Sequence, residues 1–207
     1  MFNHFICTLT WYVADEPGLS ARGGYPNGLP EDIEAKYAEF LLDNVSVIAL
    51  DGDFVCGVMV SCIEKRSKMV PTKPTFDQLK SEMNEKHALI NLVCNDTIHC
   101  TDFFKQYPDI DQYLDLFAVG VHKDYRRMGI ASALVEKSLE AGKSNHCKAA
   151  IIIATNPHTN GIAKKFEFKP YKSVKWSDYK DNNTGEQWFP DEKMPHSIVN
   201  SYFKLFQ

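Results

Sequence analysis

The sequence has no CxxC pair, no HxxxH or HExxH pair and no excess of positive charge. Each absence removes a class of function. Six cysteines, Cys7, Cys56, Cys62, Cys94, Cys100 and Cys147, are scattered without the spacing of a zinc site or a disulfide framework, so they read as reduced, mostly buried thiols. The seven histidines are equally dispersed and never place two ligands on one helical face, so no metal is expected. A formal net charge of -4 offers no footprint for a phosphate backbone, and nucleic acid is not an expected partner. The longest wholly aliphatic run, residues 149–154, falls far short of the roughly 20 residues of a membrane span. Residues 1–14 are fairly apolar, but they lack a basic leader and a small-residue cleavage site and soon meet Asp15 and Glu16. They are read as part of the domain, and the expectation is a cytoplasmic monomer with no membrane partner.

What is present is an ordinary globular composition, 44% hydrophobic and 24% charged over 207 residues, with no repeat, linker or low-complexity tract. A single domain spanning 1–207 is expected. Residues 31–42 follow Pro30, open on acids and repeat Ile33, Tyr37, Phe40 and Leu41 at helical spacing. Residues 45–50 and 54–61 are β-rich and flank Asp51-Gly52-Asp53, which predicts a hairpin. Residues 75–100 carry no Pro or Gly and predict one or two helices, ended by Tyr107-Pro108-Asp109. Strand 114–121, helix 129–141, strand 149–154, a short helix at 162–165 and strands at 168–176 and 198–206 follow. The alternation predicts an α/β (α+β) fold with a central mixed sheet flanked by helices.

One junction carries chemistry. The hydrophobic strand 116–121 turns through His122-Lys123-Asp124-Tyr125 into Arg126-Arg127-Met128-Gly129-Ile130-Ala131, an R-x-x-G-x-A pattern at the head of a helix. Backbone N–H groups at a helix start have no intrahelical acceptor, and the helix dipole adds positive potential, so such a loop suits a diphosphate. Gly129 places no side chain in the way, Ala131 is nearly as small, and Arg126 and Arg127 add forked donors.

On these residues the chain resembles the GNAT superfamily of acetyltransferases, whose signature is [Q/R]-x-x-G-x-[G/A] after a central strand. The resemblance implies a single GNAT-like domain with a mostly antiparallel sheet and a CoA-binding core at about 113–170. It implies that backbone N–H groups of Arg126, Arg127, Met128, Gly129, Ile130 and Ala131, with Ser132, hold the pyrophosphate of acetyl-CoA. The pantetheine arm would run beside Phe117, Ala118, Val119 and Val121, with Asn156 a further polar contact. Asp15-Glu16-Pro17, Asn44-Val45-Ser46-Val47-Ile48-Ala49, Trp176-Ser177-Asp178-Tyr179 and Pro195-His196 resemble the arylalkylamine N-acetyltransferases typified by insect dopamine acetyltransferases.

That branch implies a small-molecule amine substrate and Glu16 as general base. An alkylamine is protonated at neutral pH, and a positioned carboxylate of raised pKa can remove the proton directly or through water. Asp15 can instead attract the substrate's charge. Thr155 and Thr159 stand where the branch has two serines implicated in proton handling; as threonines they keep the hydroxyl and narrow the site, and a helix-capping role is the other reading. His158 is a further polar candidate in this loop. The tyrosine that many GNAT enzymes place in the next helix is missing, with Ile162, Ala163 and Phe166 present instead and Glu167 where glycine is common. Tyr12, Phe40, Phe117, Trp176 and Tyr179 are the candidates for an aromatic acceptor wall, set against the alternative that they are core. Polyamines, peptides and a non-catalytic CoA-binding role are the competing readings. A cysteine acyl-enzyme has no Cys-His pairing behind it.

Overall fold

The computed structural model describes residues 31–181, 184–189 and 196–207. Tyr12, Asp15 and Glu16 lie outside the described residues. Within them, six strands form one sheet in the order β1-β2-β3-β4-β6-β5: β1 Val47–Asp51, β2 Phe54–Lys65, β3 Gln112–Val121, β4 Ala149–Ala154, β5 Lys169–Lys175 and β6 Ile198–Leu205. Only β3 and β4 pair in parallel; the other four pairs are antiparallel. The expected mixed, mostly antiparallel sheet is therefore present.

The sheet divides the helices. On one face lie α1 Glu31–Leu41, α2 Phe76–Glu82, α3 Glu85–Thr97 and α4 Cys100–Gln106; on the other lie α5 Ile130–Ser144 and α6 Pro157–Lys165. β2 is an interior strand, and eight consecutive residues from Val55 to Cys62 are buried, as a strand covered on both sides requires. Its hairpin with β1 turns at Gly52, whose φ of 57° suits the tight reversal. β5 is an outer strand with Lys169, Lys172 and Lys175 exposed, a composition that discourages pairing with another chain.

Helix α5 is fixed by size and by polarity. A Cβ on Gly142 would stand 2.9 Å from Leu114 Cδ2 and 3.1 Å from its Cβ, so only glycine lets this turn rest on β3. Ser138 Oγ donates to the Val45 carbonyl at 2.9 Å and stands 2.7 Å from Ser61 Oγ. With the Ser138 proton committed, Ser61 must donate to it. Three segments are thereby tied through two buried hydroxyls.

The differences from expectation lie in the helices. The 75–100 region forms α2 and α3, split at Met83 with Asn84 capping α3, and a third helix, α4, follows. α4 is held by Arg66, whose guanidinium donates to the carbonyls of Phe104, Tyr107, Pro108 and Ile110 at 2.6–3.1 Å and lies 4.9 Å from the Phe104 ring centroid. α6 begins at Pro157, five residues before the expected 162, because Asn156 caps it and Pro157 suits its first turn.

Gly142→Ala is expected to destabilise the protein by about 1–3 kcal/mol in urea unfolding, because overpacking against Leu114 outweighs the roughly 1 kcal/mol that alanine gains in a helix. A stabilised variant would show that the contact relaxes at no cost.

Candidate active site

The register of β3 creates an opening in the sheet. Val60 faces Ala118 and Ser61 faces Leu116, so Phe117 is an extra residue with no partner on β2. Such a bulge bends its strand. At the same level β3 parts from β4: their pairing covers only Leu114–Ala150, Asp115–Ile151 and Leu116–Ile152, whereas β4 stays with β6 through Ala154. From Phe117 to Val121 the β4-facing side of β3 has no strand partner among the described residues. The expected pantetheine-side residues Phe117, Ala118, Val119 and Val121 are therefore on a sheet edge exposed inside the molecule.

At the head of this opening stands the R-x-x-G-x-A loop. A short 3₁₀ turn, Lys123–Tyr125, follows β3, Arg126 is extended, and Arg127 and Gly129 take left-handed φ values of 64° and 83°. A positive φ at arginine is uncommon and is maintained here by its surroundings. Helices α2, α3, α4 and α6 are capped by the side chains of Thr75, Asn84, His99 and Asn156. The Gly129 cap of α5 supplies no side-chain acceptor. Among the described residues, no acceptor is recorded for the first-turn N–H groups of Ile130, Ala131 and Ser132. A Cβ on Gly129 would meet nothing within 4 Å, so its packing demands no glycine; the backbone conformation does. Arg126, Arg127, Met128 and Gly129 are exposed, and Arg126 Nε reaches back to the Val121 carbonyl at 3.3 Å.

Behind the opening, on the α1 face, three rings meet. Phe117 lies 4.9 Å from Phe40 and 5.7 Å from Tyr37 between centroids. The expected wall residues Phe40 and Phe117 are brought together, and Tyr37 joins them. Trp176 and Tyr179 do not belong to this wall. Trp176 is fully buried with Leu89, Val93, Phe189 and Val199, and Tyr179 packs beside it while donating to Asp96 at 3.0 Å.

Beyond β4, Asn156 Oδ1 accepts from Thr159 N–H at 2.9 Å and from Thr159 Oγ1 at 3.2 Å. The cap is Asn156 rather than either threonine, and Thr155 and Thr159 are both buried. Asn160 Oδ1, one turn into α6, accepts from Tyr202 Oη at 2.7 Å and from Asn200 Nδ2 at 3.0 Å. Tyr202 reaches from β6 toward the helix that lacks a tyrosine of its own. Burial raises its pKa.

Sequence reasoning passed over one group. On the α1 face, Cys62 pairs across the sheet with Asp115 and Glu64 with Tyr113, and single ligand atoms of Cys62, Glu64 and Asp115 all lie within 4.8 Å of one another. Burial, then the nearby Glu64, pushes Asp115 up to about 7; burial and then Asp43 raise Glu64. Burial holds the Cys62 thiol protonated. The signal was an aspartate between Leu114 and Leu116 in a core strand, where an acid is rare.

The mixed sheet opens at the bulge, and at that opening stands a helix N-terminus whose cap residue offers no side-chain acceptor. Residues 70–168 match the model of the Acetyltransferase (GNAT) family. No curated protein matches the chain by sequence. Among solved structures, arylalkylamine N-acetyltransferase 2 from Aedes aegypti superposes with a TM-score of 0.86 at 24% identity, covering 100% of this chain and 94% of that one. A Drosophila melanogaster polyamine N-acetyltransferase that forms N-acetylagmatine gives 0.79 at 15% identity, covering 99% and 95%. The NatC complex bound to Gag peptide and CoA gives 0.56 at 12%, covering 100% and 91%. At these identities the likeness establishes the fold. No helix among the described residues is long and apolar enough to cross a membrane.

The Asp115 shift has a sign. The folded-state pKa exceeds the unfolded one, so the native state binds more protons from about pH 4 to 7 and stability falls as pH rises through that window. Asp115→Asn is expected to raise Tm by about 3 °C or more at pH 8 and to change it little at pH 4. Equal shifts at both pH values would show that the carboxylate is not under strain when ionised.

Proposed function

We propose that this protein transfers the acetyl group of acetyl-CoA to the nitrogen of a small primary amine, an arylalkylamine such as dopamine, tryptamine or serotonin. The observation that carries this reading is the uncapped N-terminus of α5 set at the end of the unpaired β3 edge. The loop Arg126–Ala131 and Ser132 then grip the pyrophosphate through backbone N–H groups, and Arg126 and Arg127 add charge. Phe117 to Val121 line the pantetheine arm, and Asn156 borders it. The bound thioester supplies an activated acyl carbon.

Tyr37, Phe40 and Phe117, together with Tyr12, hold the acceptor ring, and Asp15 draws its ammonium inward. Glu16 takes a proton from that ammonium, through water, and frees the lone pair. The nitrogen forms a bond to the acyl carbon as charge collects on the carbonyl oxygen, where the Val119 N–H donates to it. The carbon–sulfur bond then breaks, the sulfur leaves with the electron pair, and a proton relayed through the Thr155 and Thr159 hydroxyls from solvent neutralises it. The amide nitrogen gives up its second proton to solvent. Support for the arylalkylamine class comes from the ring wall and from the first of the similar structures. Polyamine acceptors are a second reading, favoured by the acids Glu64 and Asp115, whose ligand atoms lie within 4.8 Å of one another.

A thiol-release screen with acetyl-CoA over arylalkylamines, polyamines and peptides tests the assignment: arylalkylamine turnover is expected, and release with peptides alone would overturn it. Arg126→Ala is expected to raise the KM for acetyl-CoA about tenfold with kcat little changed. Glu16→Gln is expected to lower kcat about 100-fold or more and to remove the acidic limb of the kcat/KM profile; an unaltered profile between about pH 6 and 9 would exclude Glu16 as the base.

A further inference from the structure

The loop between β3 and α5 places Arg127 and Gly129 in the left-handed region, at φ 64° and 83°. A free chain does not keep such a shape over so short a segment, so neighbouring structure must impose it. The β1–β2 hairpin touches the loop at both ends. Where the chain leaves β3, the Cys56 carbonyl accepts the His122 N–H at 2.9 Å. Phe54 stacks on Tyr125, with ring centroids 5.8 Å apart and planes 25° from parallel, and meets the His122 ring at 89° and 5.3 Å. Tyr125 Oη donates to Asp51 Oδ2 at 2.8 Å. At the other end, Gly57 lets the first residue of α5 rest on β2, since a Cβ there would stand 3.0 Å from Ile130 Cγ2. The residue before Arg126 and the residue after Gly129 are therefore both held by one strand and its turn.

β2 flanks β3 on the side opposite β4, so the hairpin lies across β3 from the strand where β3 and β4 part. Its side chains reach the loop through Tyr125. Phe54 is 44% exposed, so its ring fills no core space and its removal leaves no cavity.

We propose that Asp51 and Phe54 are positioning residues for the acyl donor: acting through Tyr125, they hold the Arg126–Gly129 loop in the shape that presents its backbone N–H groups to the pyrophosphate. This rests on the acetyl-CoA reading above. A loop already held in its bound shape loses little freedom on binding, so these contacts act on the affinity for CoA and leave the transfer step alone.

The test is calorimetry with CoA and steady-state kinetics with acetyl-CoA in wild type, Asp51→Ala, Asp51→Asn, Tyr125→Phe, Phe54→Ala and the double variant Asp51→Ala/Tyr125→Phe. Tyr125→Phe and Asp51→Ala are each expected to raise Kd for CoA and KM for acetyl-CoA about fivefold, and Phe54→Ala at least as much, with kcat within about twofold of wild type. The double variant is expected to bind no more weakly than either single one, because both changes remove the same bond. Asp51→Asn keeps an oxygen acceptor and is expected to stay within about twofold of wild type.

The charge of Asp51 gives the opposite sign. A carboxylate that only repels the anionic donor would, once removed, leave binding tighter in Asp51→Ala and Asp51→Asn alike, and that result would overturn the proposal. So would additive losses in the double variant, a fall in kcat at constant KM, or a lowered Tm with wild-type Kd in Tyr125→Phe and Phe54→Ala, which would mark the contacts as stabilising only. Wild type that binds no CoA would overturn the donor site and this proposal together. CoA binding without turnover of any amine would overturn the reaction alone, and the Kd series would still decide the positioning role.

Discussion

A single unmatched residue organises this protein. Phe117 has no partner on β2, and the bend it introduces takes β3 away from β4 after three parallel pairs. An intact sheet would have spent the backbone groups of 117–121 on a neighbouring strand. Here one side of the edge has no strand partner among the described residues, and the strand leads to a helix whose cap residue supplies no side-chain acceptor. The cost is borne by the rest of the structure, where β2 is buried along eight residues and α5 packs within contact distance of Leu114. A local defect of this kind persists only because the surrounding core determines it so fully.

Legibility followed the range of the interactions. Hydrophobic period and turn chemistry are local, and they sufficed for α1, the β1–β2 hairpin and the succession from β3 to β4. The turn of the R-x-x-G-x-A loop into α5 was legible for the same reason, since a positive-φ glycine at a helix start is written in consecutive residues. α4 escaped because its anchoring depends on Arg66, more than thirty residues upstream, closing over four carbonyls. The start of α6 escaped because Asn156 competes as a cap with the neighbouring threonines, and only geometry shows which oxygen accepts.

The α1 face was the least legible part. Asp115 and Glu64 are about fifty residues apart and become neighbours only through the β2–β3 register, which a one-residue slip would have placed on opposite faces. The bulge itself left no local mark, because Phe117 looks like any other strand aromatic. Trp176 shows the converse: an aromatic with a binding-site appearance is committed to the core under α3. Ring count in a sequence does not identify a pocket; the partner of each ring does.

The buried hydroxyl pair of Ser61 and Ser138 has a consequence for how such a scaffold diversifies. By binding α5 to β2 and to the segment before β1, it makes the donor loop part of one rigid slab with the sheet. The sheet then acts as a partition. Side chains on the α1 face can be exchanged without altering what α5 packs against, because Ser61 and Leu114 meet that helix from the other side. The two faces of one sheet are thus free to diverge at different rates.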